Sequence, residues 1–213
     1  MLSELHKSTF DVLSIVRRLE NTLDGVTRGE AHLLAYVGCL LSIYHRLPAN
    51  EWGYTFIRSQ WGAPFSADIE NAIAKLASGA FIDSRTELLR LTQRGLAFVE
   101  FLDAGEEHRW RSPYLNGACA SALAMPIGSI RSALREEPSL RRASVHHQPR
   151  PLLDSDHDDA LYEQFGAVSQ VVGSDVLDLM VPSVVWLSYL GRPQNLEAKD
   201  ARPTPEQGTI DYE

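Results

Sequence analysis

A pattern of short elements between residues 66 and 103 constrains the fold of this chain more than any other sequence feature. Apolar residues recur at helical spacing in 67–78 and again in 93–103. Between these segments, the short apolar runs 80–82 and 88–91 are separated by a polar turn, which is typical of two strands. The sequence therefore predicts a helix, a two-stranded hairpin and a second helix, in this order.

Residues suited to helix ends mark the boundaries of these elements. Ser66 can cap the helix that starts at residue 67, and Gly79 is the residue type expected just after its last turn. Thr92 can cap the following helix in the same way. The turn before Ser66 contains Gly62 and Pro64, which interrupt regular structure. These residues support the predicted boundaries of both helices.

Three more helices are predicted before this pattern, over 3–20, 30–46 and 50–60. The segment 30–46 is apolar on most faces, so we expect it to form a central buried helix. Helix, turn, helix, two-stranded wing and helix is the order of elements in a winged-helix domain. The predicted fold is therefore mainly α, with a winged helix-turn-helix core and a helical C-terminal extension.

The rest of the chain predicts further helices and one exposed linker. The segments 113–123 and 126–135 each begin with a proline that a first helical turn tolerates, and small residues in the first allow close packing. The segments 160–171 and 175–190 also predict helices. The predicted division is a winged-helix domain with N-terminal helices at 1–104, a helical extension at 105–142, an acidic linker at 143–159, a C-terminal helical pair at 160–190 and a disordered tail at 191–213.

The chain is acidic, and the acidic excess lies in its last third. Its net charge is −8. Residues 143–213 alone hold 12 acidic and 4 basic side chains, a net charge of −8. Such a protein does not attract a polyanion through its overall field, so any contact with nucleic acid must be local. Only Lys7, Lys75 and Lys199 are lysines, and the remaining arginines are well suited to protein interfaces.

Arginines near the predicted hairpin are the first candidate nucleic-acid contacts. In the usual docking mode the helix 67–78 would enter the major groove, where DNA readers surround their base contacts with lysine and arginine. Its polar side chains are instead Asp68, Glu70, Asn71 and Lys75. Arg85, Arg90 and Arg94 could add an auxiliary contact to a phosphate backbone. We therefore expect the core to serve protein contacts more than sequence-specific DNA reading.

A second basic strip contains Arg131 and Arg135, which lie four residues apart on one helix face. The other members of the strip are Arg109, Arg111, Arg141 and Arg142. The strip could contact a phosphate backbone or an acidic partner. Alternatively, it could form ordinary surface ion pairs with neighbours such as Glu136 and Glu137.

The apolar C-terminal helix is the candidate partner-binding element. A helix that is apolar nearly all round must be buried, either in the core of its own chain or in a partner. Both alternatives stay open, since the helix could dock onto another subunit or pack against the helices of 113–135. The residues assigned to partner contact are Leu177, Met180, Val184, Trp186 and Leu187, together with Trp52 and Trp61.

The sequence shows no recognised catalytic motif. Cys39 and Cys119 lie in apolar helices, where small buried thiols are expected. The histidines and aspartates of 146–158 suit a solvated linker better than a zinc or calcium site. Neither a signal peptide nor an apolar stretch of the roughly 20 residues that span a bilayer is visible. We expect a cytoplasmic protein that is not an enzyme, with no metal, cofactor, small-molecule substrate or membrane contact.

Residues from about 45 to 103 resemble the sequence pattern of winged-helix domains. Leu76-Ala77-Ser78-Gly79-Ala80-Phe81-Ile82 is similar to the helix end and strand of that pattern, and Leu91-Thr92-Gln93-Arg94-Gly95 is similar to the start of its next helix. The overall layout resembles the small accessory subunits of bacterial SMC-like ATPases. These include the tandem winged-helix partners of condensins and the middle component of Lamassu-type ABC ATPase defence systems.

This resemblance implies a non-catalytic adaptor that bridges a large SMC-like ATPase and an effector in antiphage or anti-plasmid defence. Its work would be protein–protein interaction, with an auxiliary DNA-binding contact at most. The alternative is a winged-helix transcription regulator that dimerises through its first or last helices, and an antitoxin is a third possibility.

Overall fold

The computed structural model describes residues 4–145, 150–153, 159–174 and 176–192, and the chain is mainly α-helical. The helices are α1 (Glu4–Leu23), α2 (Arg28–Tyr44), α3 (Ala67–Ser78), α4 (Gln93–Ala104), α5 (Glu106–Arg109), α6 (Ser112–Ala124), α7 (Ile127–Arg135), α8 (Pro138–Val145), α9 (Asp159–Val172) and α10 (Met180–Leu190). The strands are β1 (Val26–Thr27), β2 (Ile57–Arg58), β3 (Pro64–Phe65), β4 (Ile82–Asp83) and β5 (Leu88–Leu91), and a 3₁₀ turn lies at Ala49–Trp52.

The strands form two small antiparallel sheets. In the first, β5 lies in the middle, with β1 on one side and β4 on the other. Val26 of β1 is opposite Leu89, and Ile82 of β4 is opposite Leu91. In the second, β2 and β3 form a hairpin. The first sheet therefore ties the chain between α1 and α2 to the predicted wing hairpin.

Helix α2 is the centre of the fold, as the sequence predicts. Every residue from Ala31 to Tyr44 is buried. The helix begins with a capping box, because the Thr27 hydroxyl accepts a hydrogen bond from the Glu30 amide at 3.2 Å and the Glu30 carboxylate accepts one from the Thr27 amide at 2.9 Å. The predicted start at residue 30 is therefore two residues late.

The elements from α3 to α4 also follow the prediction closely. The Thr92 hydroxyl accepts a hydrogen bond from the Gly95 amide at 3.1 Å and so caps α4. Gly95 is required here, because a Cβ atom at this position would lie 1.9 Å from the carbonyl oxygen of Phe81. Two details differ. The first strand begins at Ile82, and the hydroxyl of Ser66 does not cap α3.

The helix predicted over 50–60 is wrong. The chain makes only a 3₁₀ turn that ends at Trp52, and then Gly53 has a left-handed φ of 89°. The next residues are not helical and lead into β2 at Ile57. The apolar spacing of Trp52, Phe56 and Ile57 resembles that of a helix, but a left-handed residue ends a helix instead of continuing it.

The later helices pack on the same core as the first ones. Helix α6 lies against α1 and α2, and α10 lies against α6, α7 and α9. Gly117 of α6 allows the close approach to α10, since a Cβ atom there would lie 2.6 Å from the Cβ of Leu179. The expected close packing is thus seen at Gly117, and the core runs across the predicted boundary at residue 104.

Part of the predicted acidic linker packs on the body of the protein. Pro151 is bridged to Ile57 of β2, and the Leu152 amide donates a hydrogen bond to the Phe56 carbonyl at 2.8 Å. Leu152 is buried, so this part of the segment is not an exposed linker. Residues 143–145 also belong to α8, which was not predicted. The parts 146–149 and 154–158, and the predicted tail from residue 193 onward, lie outside the described residues.

Candidate interaction surfaces

Three of the residues assigned to partner contact lie inside the chain. Trp52, Trp186 and Leu187 are all 0% exposed. The Trp186 ring stacks on Phe165 with ring centroids 4.8 Å apart, and its Nε1 donates to the Gln164 side chain at 3.0 Å. The sequence predicts these three residues as partner contacts. We correct that prediction, because side chains that fill this core are not available to a partner. The inner face of α10 therefore packs within its own chain, which is one of the two alternatives that the sequence left open.

A buried polar cluster surrounds Trp52 and joins α1, the 3₁₀ turn and the start of α6. The Arg111 guanidinium donates to the Asp11 carboxylate through Nε at 2.8 Å and through Nη2, and to the Trp52 carbonyl through Nη1 at 2.7 Å. The Tyr54 hydroxyl donates to the same carboxylate at 2.5 Å. The Arg111 guanidinium also lies over the Trp52 ring, 3.8 Å from its centroid.

The electrostatics of this cluster indicate a structural role. Both charged side chains, Asp11 and Arg111, are 0% exposed. Burial alone would lower the pKa of Arg111, but the charge and hydrogen bonds of Asp11 outweigh it and raise the pKa. Burial, with Asp11 nearby, raises the pKa of Tyr54 well above its usual value, so the phenol remains a donor. Arg111 is therefore a core residue and not, as predicted, a member of a surface strip.

A second buried carboxylate belongs to Glu137, at the junction of α7 and α8. It accepts hydrogen bonds from the backbone amides of Ser139 and Leu140, both at 2.8 Å, and from the Tyr36 hydroxyl at 3.0 Å. Burial raises the pKa of Glu137, and these three donors act against that rise. Glu137 is 0% exposed, so the prediction of a surface ion pair is wrong for this residue. It ties the start of α8 to α2.

Two predicted nucleic-acid contacts are paired with carboxylates on the same surface. The Arg85 guanidinium lies 2.6 Å from Asp83, and hydrogen bonds from Arg85 lower the pKa of Asp83 to about 2. Arg90 lies 2.8 Å from the Asp24 carboxylate and donates a second hydrogen bond to the Asp24 carbonyl at 2.8 Å. Each arginine therefore has a negative group beside it, which reduces the positive field at the wing.

The other three predicted nucleic-acid contacts lie outside the β4–β5 hairpin, on α4 and α7. Arg94 of α4 lies over the Phe81 ring, 4.4 Å from its centroid. Arg131 of α7 is 3.7 Å from the Glu30 carboxylate. Arg135 is exposed near the end of α7. The five arginines are thus spread over the wing, α4 and α7.

The start of α3 carries an acidic group that is tied to α2. Glu70 pairs with Arg28 and lies 3.3 Å from the Nε2 atom of His32. His32 is buried, and its Nδ1 accepts a hydrogen bond from the Ser66 amide at 3.2 Å. Burial lowers the pKa of His32, against the opposing effect of Glu70. The neutral ring with a proton on Nε2 therefore fits this position and holds α3 on α2.

Trp61 is the most exposed aromatic side chain among the described residues, at 81%. It lies at the tip of the β2–β3 hairpin. There the Ser59 amide donates to the Ala63 carbonyl at 2.8 Å, and the Gly62 amide donates to the Ser59 carbonyl at 2.9 Å. Gly62 has a φ of 79°, which glycine adopts without strain. A closed turn therefore presents this indole to the solvent.

The outer side of α10 and Leu177, which precedes it, are also apolar and exposed. Leu177 precedes the helix and is 93% exposed, and Val181, Val185 and Tyr189 follow at four-residue intervals on its outer face. The predicted contacts Met180 and Val184 are half-buried. Of the predicted set, Leu177 and Trp61 are fully accessible, whereas the exposed face itself consists of residues that were not singled out.

An apolar groove of about 520 Å³ lies between α1, α4 and α5. Phe98, Phe101 and Leu102 line one side, with His6, Thr9 and His108 on the other. Phe101 is 74% exposed. The groove is a third place where apolar side chains meet the solvent.

The chemistry of the thiols and of possible metal ligands follows from their placement. Cys39 and Cys119 are buried free thiols, and burial raises the pKa of Cys119 to about 12. Since the thiolate is the reactive form, Cys119 is a poor nucleophile at neutral pH. Among the described residues, no three histidines, cysteines or carboxylates are grouped to hold a metal ion. The histidines and aspartates of 146–158, which the sequence assigns to a solvated linker, lie outside those residues.

Comparison with models of known protein families gives no match for this chain, and comparisons with curated proteins and with solved structures give none either. In the part of the chain that the structure describes, no helix has the length and apolar character needed to cross a membrane. The functional argument therefore depends on the surfaces described above.

Proposed function

We propose that this chain is a non-catalytic adaptor subunit of a bacterial multiprotein complex, active in the cytoplasm. By its resemblance, the complex would contain a large SMC-like ATPase and an effector, and would act in antiphage or anti-plasmid defence. The proposal treats 4–104 as a winged-helix core that is used for protein contacts.

The order and pairing of the elements support a winged-helix core. Helices α1, α2 and α3 are followed by the hairpin β4–β5 and then by α4. The strand β1, between α1 and α2, pairs with the second strand of that hairpin. A small three-stranded sheet beside three helices is the arrangement that this fold requires.

The charges on this core favour protein contacts over DNA reading. In a winged helix that reads DNA, the third helix and the wing carry unpaired basic side chains. Here Glu70 lies in the first turn of α3, while Arg85 and Arg90 of the wing are paired with aspartates. A phosphate would have to displace these carboxylates, which lowers the gain from binding.

Trp61 is the observation that carries the adaptor proposal. An indole held out by a closed hairpin turn loses little conformational freedom when it enters a partner's pocket. Tryptophan is also among the residues that most often dominate binding at protein interfaces, with losses of about 2 kcal/mol or more on truncation. An exposed side chain of this size does nothing for the fold of the isolated chain, so a bound partner is the simplest account of its position.

Affinity purification from the native host with mass spectrometry tests the proposal. The tagged wild-type chain is expected to recover a large ATPase and an effector. Trp61→Ala is expected to lose them at least tenfold, because its side chain contributes to the interface and not to the core. Val171→Ala, which removes another exposed apolar side chain at the end of α9, is the control and should retain them. A chain that recovers no stable partner, or a Trp61→Ala variant that recovers as much as the wild type, contradicts the proposal.

The alternative function is a winged-helix transcription regulator, which the exposed position of Arg85 at the tip of the wing favours. It predicts salt-sensitive binding to DNA upstream of its own gene, with affinity falling steeply as salt rises. Replacing Arg85, Arg90 and Arg94 together by alanine should abolish that binding. Binding that survives this replacement excludes the wing as the contact.

A further inference from the structure

The outer face of α10 combines an apolar surface with opposite charges at its two ends. Between Met180 and Leu190 the helix contains no charged residue. Asp178 lies just before it and Arg192 just after it, and both are exposed. In the part of the chain that the structure describes, the Arg192 guanidinium makes no ion pair. The face is therefore neutral in the middle, negative at its start and positive at its end.

The exposed residues of α10 lie along one line that ends near two opposite charges. Val181, Val185 and Ser188 follow one another at intervals of four and three residues within the helix, and Asp178 and Arg192 lie just outside its two ends. Residues at this spacing lie on one side of a helix. Val181, Val185 and Ser188 are all exposed in α10. The line thus runs along the side of the helix that faces away from the core.

Such a line is complementary to itself when two copies run in opposite directions. An antiparallel pair centred on Val185 places each Val181 near Ser188 and Tyr189 of the other copy. The same arrangement places each Asp178 near the other Arg192. A parallel pair would instead place like charges together at both ends.

We propose that the outer face of α10 binds the same face of a second copy of this chain, as an antiparallel two-fold dimer. This contact is independent of the proposed adaptor function and uses a surface separate from Trp61. A two-fold contact requires one self-complementary patch, and the charge order of this face meets that requirement. The inner face of α10, with Trp186 and Leu187, is anchored in the core, so the helix presents its outer face in a fixed position.

The size of the face sets the expected strength of the dimer. A helix of 11 residues is about 16 Å long, which is short for an interface that must bury about 800 Å² on each partner. We therefore expect a dimer whose population rises with protein concentration.

Sedimentation equilibrium of the full-length chain tests this proposal. The average mass is expected to rise from 23.7 kDa toward twice that value as the concentration increases. Val185→Asp should keep the chain monomeric, because it places two carboxylates at the centre of the contact. Val171→Asp is the matched control, since Val171 is 82% exposed at the end of α9 and should leave the dimer intact.

Reversing the charges at the two ends of the face distinguishes a loss of the dimer contact from a loss of folding. Asp178→Arg and Arg192→Asp should each weaken the dimer, because each creates two like-charge contacts across the pair. The double variant should restore it, since the opposite charges are again adjacent. Circular dichroism confirms that each variant remains folded.

Cross-linking locates the two-fold axis. Val185→Cys should form a disulfide-linked dimer on mild oxidation, because this residue lies opposite itself, and the native thiols Cys39 and Cys119 are buried. Val171→Cys should not cross-link at the same rate. A wild-type chain that is monomeric at every concentration overturns the proposal, as does a dimer that Val185→Asp leaves intact or that the double charge reversal fails to restore.

Discussion

Arg111 and Arg90 both pair with an aspartate, one in the core and the other on the β4–β5 hairpin. The Arg111–Asp11 pair is 0% exposed on both sides and also engages Tyr54 and the Trp52 carbonyl. In the Arg90–Asp24 pair, the side chains are 43% and 84% exposed. The two pairs have the same chemistry, and their surroundings decide what each contributes.

This comparison shows that the role of a charged side chain depends on its surroundings and not on its charge alone. In water, an ion pair gains little, because solvent already screens both groups. In the core, each group has lost its hydration and depends on its partner, so removal of either one leaves an uncompensated buried charge. Each member of the core pair is therefore required as long as the other is present, whereas the surface pair mainly shapes the local field.

Removing one member of the core pair should have the largest effect. Asp11→Asn keeps the shape but leaves the Arg111 cation without its counter-charge, and we expect a loss of about 3–5 kcal/mol in the free energy of unfolding. Urea denaturation followed by circular dichroism measures it. The double variant Asp11→Leu/Arg111→Met should lose less than the single one. If Asp11→Asn loses less free energy of unfolding than a variant of a surface pair does, burial does not explain the difference between the two pairs.

Glu137 is the intermediate case, a buried carboxylate held by hydrogen bonds. Glu137→Ala removes the acceptor for two backbone amides and the Tyr36 hydroxyl, and we expect a loss of about 1–3 kcal/mol. The same denaturation experiment measures it. The exposed neighbour Glu136→Ala is the control and should be nearly neutral. Equal effects of the two substitutions would contradict the structural role of Glu137.

His32 should make the stability depend on pH. Its pKa is lowered in the folded chain, so the folded state binds a proton less readily than the unfolded chain does. Its contribution to stability is therefore complete above the unfolded value of 6.5 and declines as the pH falls below it. His32→Gln, which cannot titrate, should flatten this decline in denaturation curves recorded between pH 7.5 and pH 5, in steps centred on about 6.5. An unchanged pH profile in the variant would assign the dependence to other groups.

Replacing the surface arginine should have the smallest effect. Arg90→Ala is expected to change the free energy of unfolding by less than about 1 kcal/mol, because the pair is largely solvated. The small effect should shrink further at high salt, where exposed charges are screened. Thermal denaturation at low and high salt measures both. A loss as large as that of Asp11→Asn would show that burial does not separate the two pairs.

The sequence pattern correctly predicts those helices and strands whose ends are determined by residues close to them in the chain. The bounds of α3 and β5 and the cap of α4 at Thr92 follow from residues within a few positions of each boundary. The helix predicted over 50–60 fails because Gly53 adopts a left-handed backbone that apolar spacing does not reveal.

The functional surfaces are harder to predict, because burial depends on distant parts of the chain. Arg111 lies 100 residues from Asp11, so no periodicity connects them. Trp52 and Trp61 look alike in the sequence, yet one fills the core and the other is 81% exposed. Gly62 and Pro64 predict a turn near Trp61, but the direction of the indole depends on what packs beneath that turn.

The distance between Asp11 and Arg111 has a consequence for how the chain is made. The ribosome synthesises Asp11 about 100 residues before its counter-charge, an interval of about 5–20 s at common translation rates. During this interval the nascent α1 and α2 carry an apolar surface and a carboxylate that cannot yet be buried together. Until α6 leaves the exit tunnel, the emerging amino-terminal half therefore lacks this counter-charge, and we expect a truncated product that stops before this point to aggregate more readily than the full chain.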